Sequence, residues 1–142
     1  MNNLKFLSRR ELQIYKLMLT NLTYSKMAKQ LKLSEGGLRF HVNFVIAKMQ
    51  FNSRVELVCD YYEESEKHEM INPVWLSELN PKESDNFALL IAGYTVSNSA
   101  EILGLSLSGV TYLRRKLFIK AGVKNALNFI LKYYVKKAVQ SE

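Results

Sequence analysis

The sequence predicts an all-α protein built from two tandem four-helix units. Three observations carry that prediction. Apolar residues recur at helical spacings of three and four, and no run alternates as a half-buried strand would. The periodic runs open on helix-capping residue types. The chain also matches itself without a gap at an offset of 72 residues, which sets Leu7 on Leu79. The same offset sets Glu11 on Glu83, Thr23 on Thr95, Ala28 on Ala100, Ser34 on Ser106, Gly37 on Gly109 and Lys48 on Lys120. It carries Tyr61 and Tyr62 onto Tyr133 and Tyr134. A period this long is not that of an ordinary solenoid and reads as a tandem duplication.

The elements follow in order. Ser8 with Glu11 forms a capping box, after which Leu12, Tyr15 and Leu19 mark a first helix. A second starts near Thr23, with Met27, Ala28 and Leu31 on its inner face. Residues 32–34 make a tight turn, and Ser34 caps a long third helix running to about Met49. Ser53 and Glu56 form a capping box for a fourth. In the second unit Pro81 occupies a first helical turn, and Thr95, Ser106 and Asn125 are the later caps. The expected organisation is unit 1 over residues 1–62, an acidic connector over 63–78 and unit 2 over 79–142. Trp75 is expected to seat the connector as an apolar anchor, and Cys59 reads as a buried helical thiol.

Charge narrows the partners. The chain carries a formal net charge of +7, with basic blocks at both ends and an acidic stretch between them. That balance points to a polyanion, with nucleic acid the first to consider. A single cysteine excludes an internal disulfide and a cysteine zinc site. No run is long and apolar enough for a membrane span, and the N-terminus lacks a signal-peptide core. Gly-rich phosphate loops, nucleophile elbows and metal-ligand spacings are absent, so neither an enzyme nor a cofactor or metal is expected. His68 lies in a charge run read as solvated. A cytoplasmic, nucleoid-associated protein is expected.

A short helix, a tight turn and a longer helix in a basic unit make a helix-turn-helix, whose second helix offers its N-terminal half to the major groove. Leu38, Val42, Val45 and Met49 would hold that helix to the core, and their burial turns Glu35, Arg39, Phe40 and Asn43 outward. An arginine there can fork onto guanine and an asparagine can pair with adenine. Gly37, repeated as Gly109, raises a question, because glycine inside a helix costs about 1 kcal/mol against alanine. The expectation is close backbone approach to DNA or to a neighbouring helix.

Specific motifs add a resemblance. The chain offers Leu7-Ser8-Arg9-Arg10-Glu11, Ser25-Lys26-Met27-Ala28, Leu31-Lys32-Leu33-Ser34, Leu38-Arg39-Phe40-His41-Val42, Lys48-Met49 and Ser53-Arg54. In these Leu7–Val58 resembles the LuxR/FixJ/GerE-type helix-turn-helix DNA-binding domain. The second unit resembles it more weakly, with Leu113-Arg114 and Asn125-Ala126 where the His-Val and Ser-Arg pairs stand.

The resemblance implies site roles. Arg39, Phe40 and Asn43 would read base edges, and Ser25, Lys26, Lys48 and Arg54 would lie near phosphates. In unit 2 the matching positions are Thr111, Tyr112 and Arg115, with Ser97, Asn98 and Lys120 near phosphates and Arg114 and Lys116 adding charge. His41 would be a packing or phosphate-side residue. Val55, Val58 and Tyr62 recur as Leu127, Ile130 and Tyr134, apolar faces on the two fourth helices. These faces have two readings: pairing as an intramolecular pseudo-dimer, or packing on each unit's own core. The chain would act as a pseudo-dimeric monomer or as a homodimer. With few residues before Leu7, the receiver or autoinducer-binding domain that family members often carry is not expected.

The expected function is sequence-specific binding of double-stranded DNA by a transcriptional regulator that reads the major groove with the third helix of each unit. The alternative is a protein-binding modulator, an anti-activator or co-regulator that contacts RNA polymerase or a homologous regulator.

Overall fold

The computed structural model describes residues 3–137. The chain divides into two compact units, Met1–Val58 and Cys59–Glu142. The fold is all-α in character, as the periodicity predicts, with one small β-ladder that the sequence reading lacked.

Unit 1 holds α1 (Arg9–Met18), α2 (Tyr24–Leu31), α3 (Glu35–Lys48) and the first part of α4 (Arg54–Glu64). Every helix starts on the predicted cap. Ser8 accepts from the Glu11 amide while Glu11 accepts from the Ser8 amide, a reciprocal box. The Thr23, Ser34 and Ser53 hydroxyls accept from the Lys26, Gly37 and Glu56 amides. Helix α3 packs on both α1 and α2. Leu38, Val42, Val45 and Met49 are its buried face, against Ile14, Met18, Met27 and Ala28 in the same core.

Unit 2 holds α5 (Pro81–Ile91), α6 (Val96–Leu103), α7 (Leu107–Ala121) and α8 (Ala126–Tyr133). Asn80, one residue ahead of Pro81, forms the capping box with Glu83. Thr95, Ser106 and Asn125 cap the next three helices. Helix α7 packs on α5 and α6, so the packing order within the unit is that of α3 on α1 and α2. Phe129 is fully buried at the centre of an aromatic core, 5.0 Å from Tyr133, 5.8 Å from Phe87 and 6.0 Å from Phe118 between ring centroids. Trp75 meets Phe87, Phe129 and Tyr133 edge-on at 6.1–6.4 Å, which seats the connector as expected.

The connector is more structured than its composition suggests. Strand β1 (His68–Met70) pairs antiparallel with β2 (Tyr134–Lys136), in the register His68 to Lys136 and Met70 to Tyr134. Amides of Ile71 and Lys137 extend the ladder to the carbonyls of Tyr133 and Lys67. Strands of three residues are too short to show a period of two, and their partners lie far apart in sequence. His68 is consequently not a freely solvated residue. Its Nδ1 lies 2.7 Å from the Ser65 hydroxyl and its ring meets Tyr62 edge-on at 4.9 Å.

Left-handed backbone occurs at two matching places in the two units, while Gly93 (φ 89°) takes a positive φ without a counterpart. Lys32 (φ 58°) and Gln50 (φ 65°) take it in unit 1, and glycines, Gly104 (φ 66°) and Gly122 (φ 70°), take it in unit 2. Residues 32 and 104 end α2 and α6 and turn the chain into α3 and α7.

Candidate nucleic-acid interface

The outward face of α3 begins at its cap. The Ser34 hydroxyl holds the Gly37 amide at 3.0 Å, and a Cβ built on Gly37 would also stand 3.0 Å from that hydroxyl. Gly109 has the same relation to Ser106, at 3.1 Å. A Cβ at the repeated glycine would meet its own capping hydroxyl and no other helix, so the expected approach of a neighbouring helix is not what the position accommodates. Gly36 faces open space.

Arg39, Phe40 and Asn43 are exposed, as expected of a reading surface. Arg39 is not idle: it bridges Glu35 at 3.2 Å and lies over the Tyr24 ring at 4.9 Å. Phe40 is 60% exposed and packs edge-to-face on Phe44, which is itself 46% exposed, at 4.9 Å. Phe44 and Tyr24 were missed in the sequence, although the i, i+4 spacing of Phe40 and Phe44 was available there. His41 is half-buried beside Phe40.

The expected phosphate-side residues separate into two groups. Ser25 and Lys26 are exposed at the start of α2. Lys48 and Arg54 are bound to their own unit. Lys48 bridges Glu11 at 2.8 Å, and this contact with the Ser8 amide holds the Glu11 carboxyl below the usual range. Arg54 donates to the carbonyls of Met18, Thr20 and Leu22 at 2.9–3.1 Å and lies over Tyr24, tying the end of α1 and the loop to α2. Burial lowers the Arg54 pKa, but an arginine stays charged.

On α7, Thr111, Tyr112 and Arg115 are exposed, as are Ser97, Asn98 and Lys120. Arg114 departs from expectation. It is 6% exposed, and its guanidinium donates to the Tyr94 carbonyl at 2.6 Å and the Ser99 hydroxyl at 2.9 Å. A guanidinium engaged inside the unit is an internal brace and not the surface charge expected of a phosphate contact. Lys116 bridges Glu83 at 3.0 Å and lies over the Tyr112 ring. The repeat had set Lys120, one turn further along, in the place of Lys48. Among the expected fourth-helix residues, Val58 and Ile130 are fully buried and Val55 and Leu127 half-buried, while Tyr62 stacks at 5.6 Å on Tyr134, which lies in β2 and not in the helix.

A short helix, a left-handed turn and a longer helix with an outward polar face define a helix-turn-helix domain. Residues 5–60 match the family described as bacterial regulatory proteins, luxR family, over less than half of the chain. No curated protein and no solved structure matches the chain. The class of function indicated for unit 1 is DNA binding in transcription regulation. No helix among the described residues is long and apolar enough to cross a membrane.

Proposed function

We propose that the chain is a sequence-specific transcriptional regulator that lays α3 in the major groove of double-stranded DNA, with unit 2 a divergent second copy using α7. The observation that carries this is the luxR-family match coinciding with an α3 whose inner face is buried and whose Arg39, Phe40 and Asn43 stand free of the core. Arg39 and Asn43 supply hydrogen bonds to base edges, and Phe40 supplies an apolar surface suited to a thymine methyl. Ser25, Lys26, Ser97, Asn98 and Lys120 act on phosphates and give salt-dependent affinity. Thr111, Tyr112 and Arg115 differ chemically from their counterparts, so the expected target is two unlike half-sites.

The test is binding-site selection with the purified full chain, repeated with Arg39→Ala and with Arg115→Ala. Each variant should relax one half-site and leave the other unchanged. Absence of any enriched motif would overturn the reading. A second reading, docking on RNA polymerase or another regulator, is favoured by one observation. Phe40 and Phe44 on α3, and Leu107, Tyr112 and Ile119 on α7, are large apolar residues at 46–73% exposure.

A further inference from the structure

We infer that unit 2 carries a binding site for a small amphipathic carboxylate, in a groove of about 390 Å³ between α7 and the start of α8. Its apolar wall is Val96, Phe118, Ile119, Val123 and Ala126. Its polar lining includes the cations Arg114, Arg115 and Lys124 and no carboxylate. Two residues of its lining are smaller than those at the matching positions of unit 1. At the positions of Val96 and Ala126, unit 1 has Tyr24 and Arg54, which stack on one another at 5.1 Å. In unit 2 both side chains are truncated, and Val96 and Ala126 line the opening instead.

A second observation points to an anion. Arg114 is more than nine-tenths buried and lines the groove, and its Nε has no hydrogen-bond partner among the described residues. Its Nη2 donates to the Tyr94 carbonyl and the Ser99 hydroxyl. A buried guanidinium bonded within the unit through Nη2 alone, beside exposed Arg115 and Lys124, suits a carboxylate head, and the apolar wall suits its hydrocarbon body. A bare inorganic anion would leave the apolar wall unused, and an uncharged alcohol would leave the cations unmatched.

The site does not depend on the DNA-binding reading. Thr111 and Arg115 belong both to the groove and to the proposed base-reading set, so coupling of an occupied groove to DNA binding does rest on that reading.

The experiment titrates the full chain with octanoate, octanol and inorganic phosphate, following backbone amide resonances by NMR. Octanoate should shift Phe118, Val123, Lys124 and Ala126, and should bind at least about tenfold more tightly than either control. Ala126→Arg, which places in unit 2 the side chain unit 1 has at that position, should abolish the shifts while keeping a folded spectrum. Lys124→Ala, on the exposed rim, should weaken octanoate and leave octanol unchanged. No octanoate shifts, equal binding of octanol or phosphate, or undiminished binding by a folded Ala126→Arg protein would each overturn the site. Octanoate that binds while DNA affinity stays constant overturns the coupling alone.

Discussion

Arg39 must exchange one partner for another if it is to reach a base. Its bridge to Glu35 is an i, i+4 pair with both side chains about half exposed, at 56% and 50%. Such pairs are worth only about 0.3–0.5 kcal/mol, so the bridge orients the guanidinium without locking it. Glu35→Gln should free Arg39 and remove a negative charge from the first turn of α3, the turn proposed to enter the groove. DNA affinity measured at low salt should rise several-fold, and the gain should shrink as salt is added. At the two adjacent glycines the outcomes should differ. Gly36→Ala gains helix propensity in open space and should raise stability by about 0.5–1 kcal/mol. Gly37→Ala gains the same propensity but pushes on the capping hydroxyl 3.0 Å away, and should come out near neutral by thermal melting. Lys32 holds a left-handed backbone that a glycine holds in unit 2, so Lys32→Gly should stabilise unit 1 by about 1 kcal/mol.

Within the helices, three positions matched by the 72-residue offset differ between the units. Met27 and Val42 are buried apolar neighbours of the α2–α3 core in unit 1, and their counterparts are Ser99 and Arg114, joined by a hydrogen bond. Arg54 in unit 1 donates to the Leu22 carbonyl, whereas in unit 2 its counterpart is Ala126. The carbonyl matching that of Leu22 belongs to Tyr94, and Arg114 serves it from a different helix. The two carbonyls are each met by an arginine, from the fourth helix in unit 1 and from α7 in unit 2. Arg54→Ala should therefore destabilise unit 1 by about 1.5–3 kcal/mol, since it strips a charged donor from three carbonyls. In unit 2, Arg114→Val alone leaves Ser99 and the Tyr94 carbonyl unsatisfied. Chemical denaturation should find the pair Arg114→Val with Ser99→Met, which copies unit 1, more stable than the single change.

Across the whole molecule, each unit rests on one carboxylate that joins its first helix to its third. Lys48 and the Ser8 amide lower the Glu11 pKa, while the Asn80 amide and Lys116 lower that of Glu83. Folded values below the unfolded ones contribute stability that is fully present above the unfolded value, near pH 4.3–4.5, and lost as pH falls through the folded values. Melting temperature should hold between about pH 5 and 7 and decline below, and Glu83→Gln should flatten the decline.

Helix number, the N-caps other than Asn80 and the inward face of α3 were legible in the sequence. Each depends on residues within three or four positions of one another, as Ser34 with Gly37 or Leu38 with Val42 does. The outward set Arg39, Phe40 and Asn43 followed by exclusion, because a buried stripe determines its opposite face. Which cation meets Glu83, which arginine serves the loop carbonyl, and whether residues 68–70 pair with 134–136 were not legible. Lys116 and Lys120 stand one turn apart on the same side of α7, so spacing alone cannot choose between them. Local periodicity thus determined the helical frame by itself. Only the tertiary structure decided how its polar side chains are used, because their partners come from other elements and buried donors and acceptors must be satisfied where the packing leaves them.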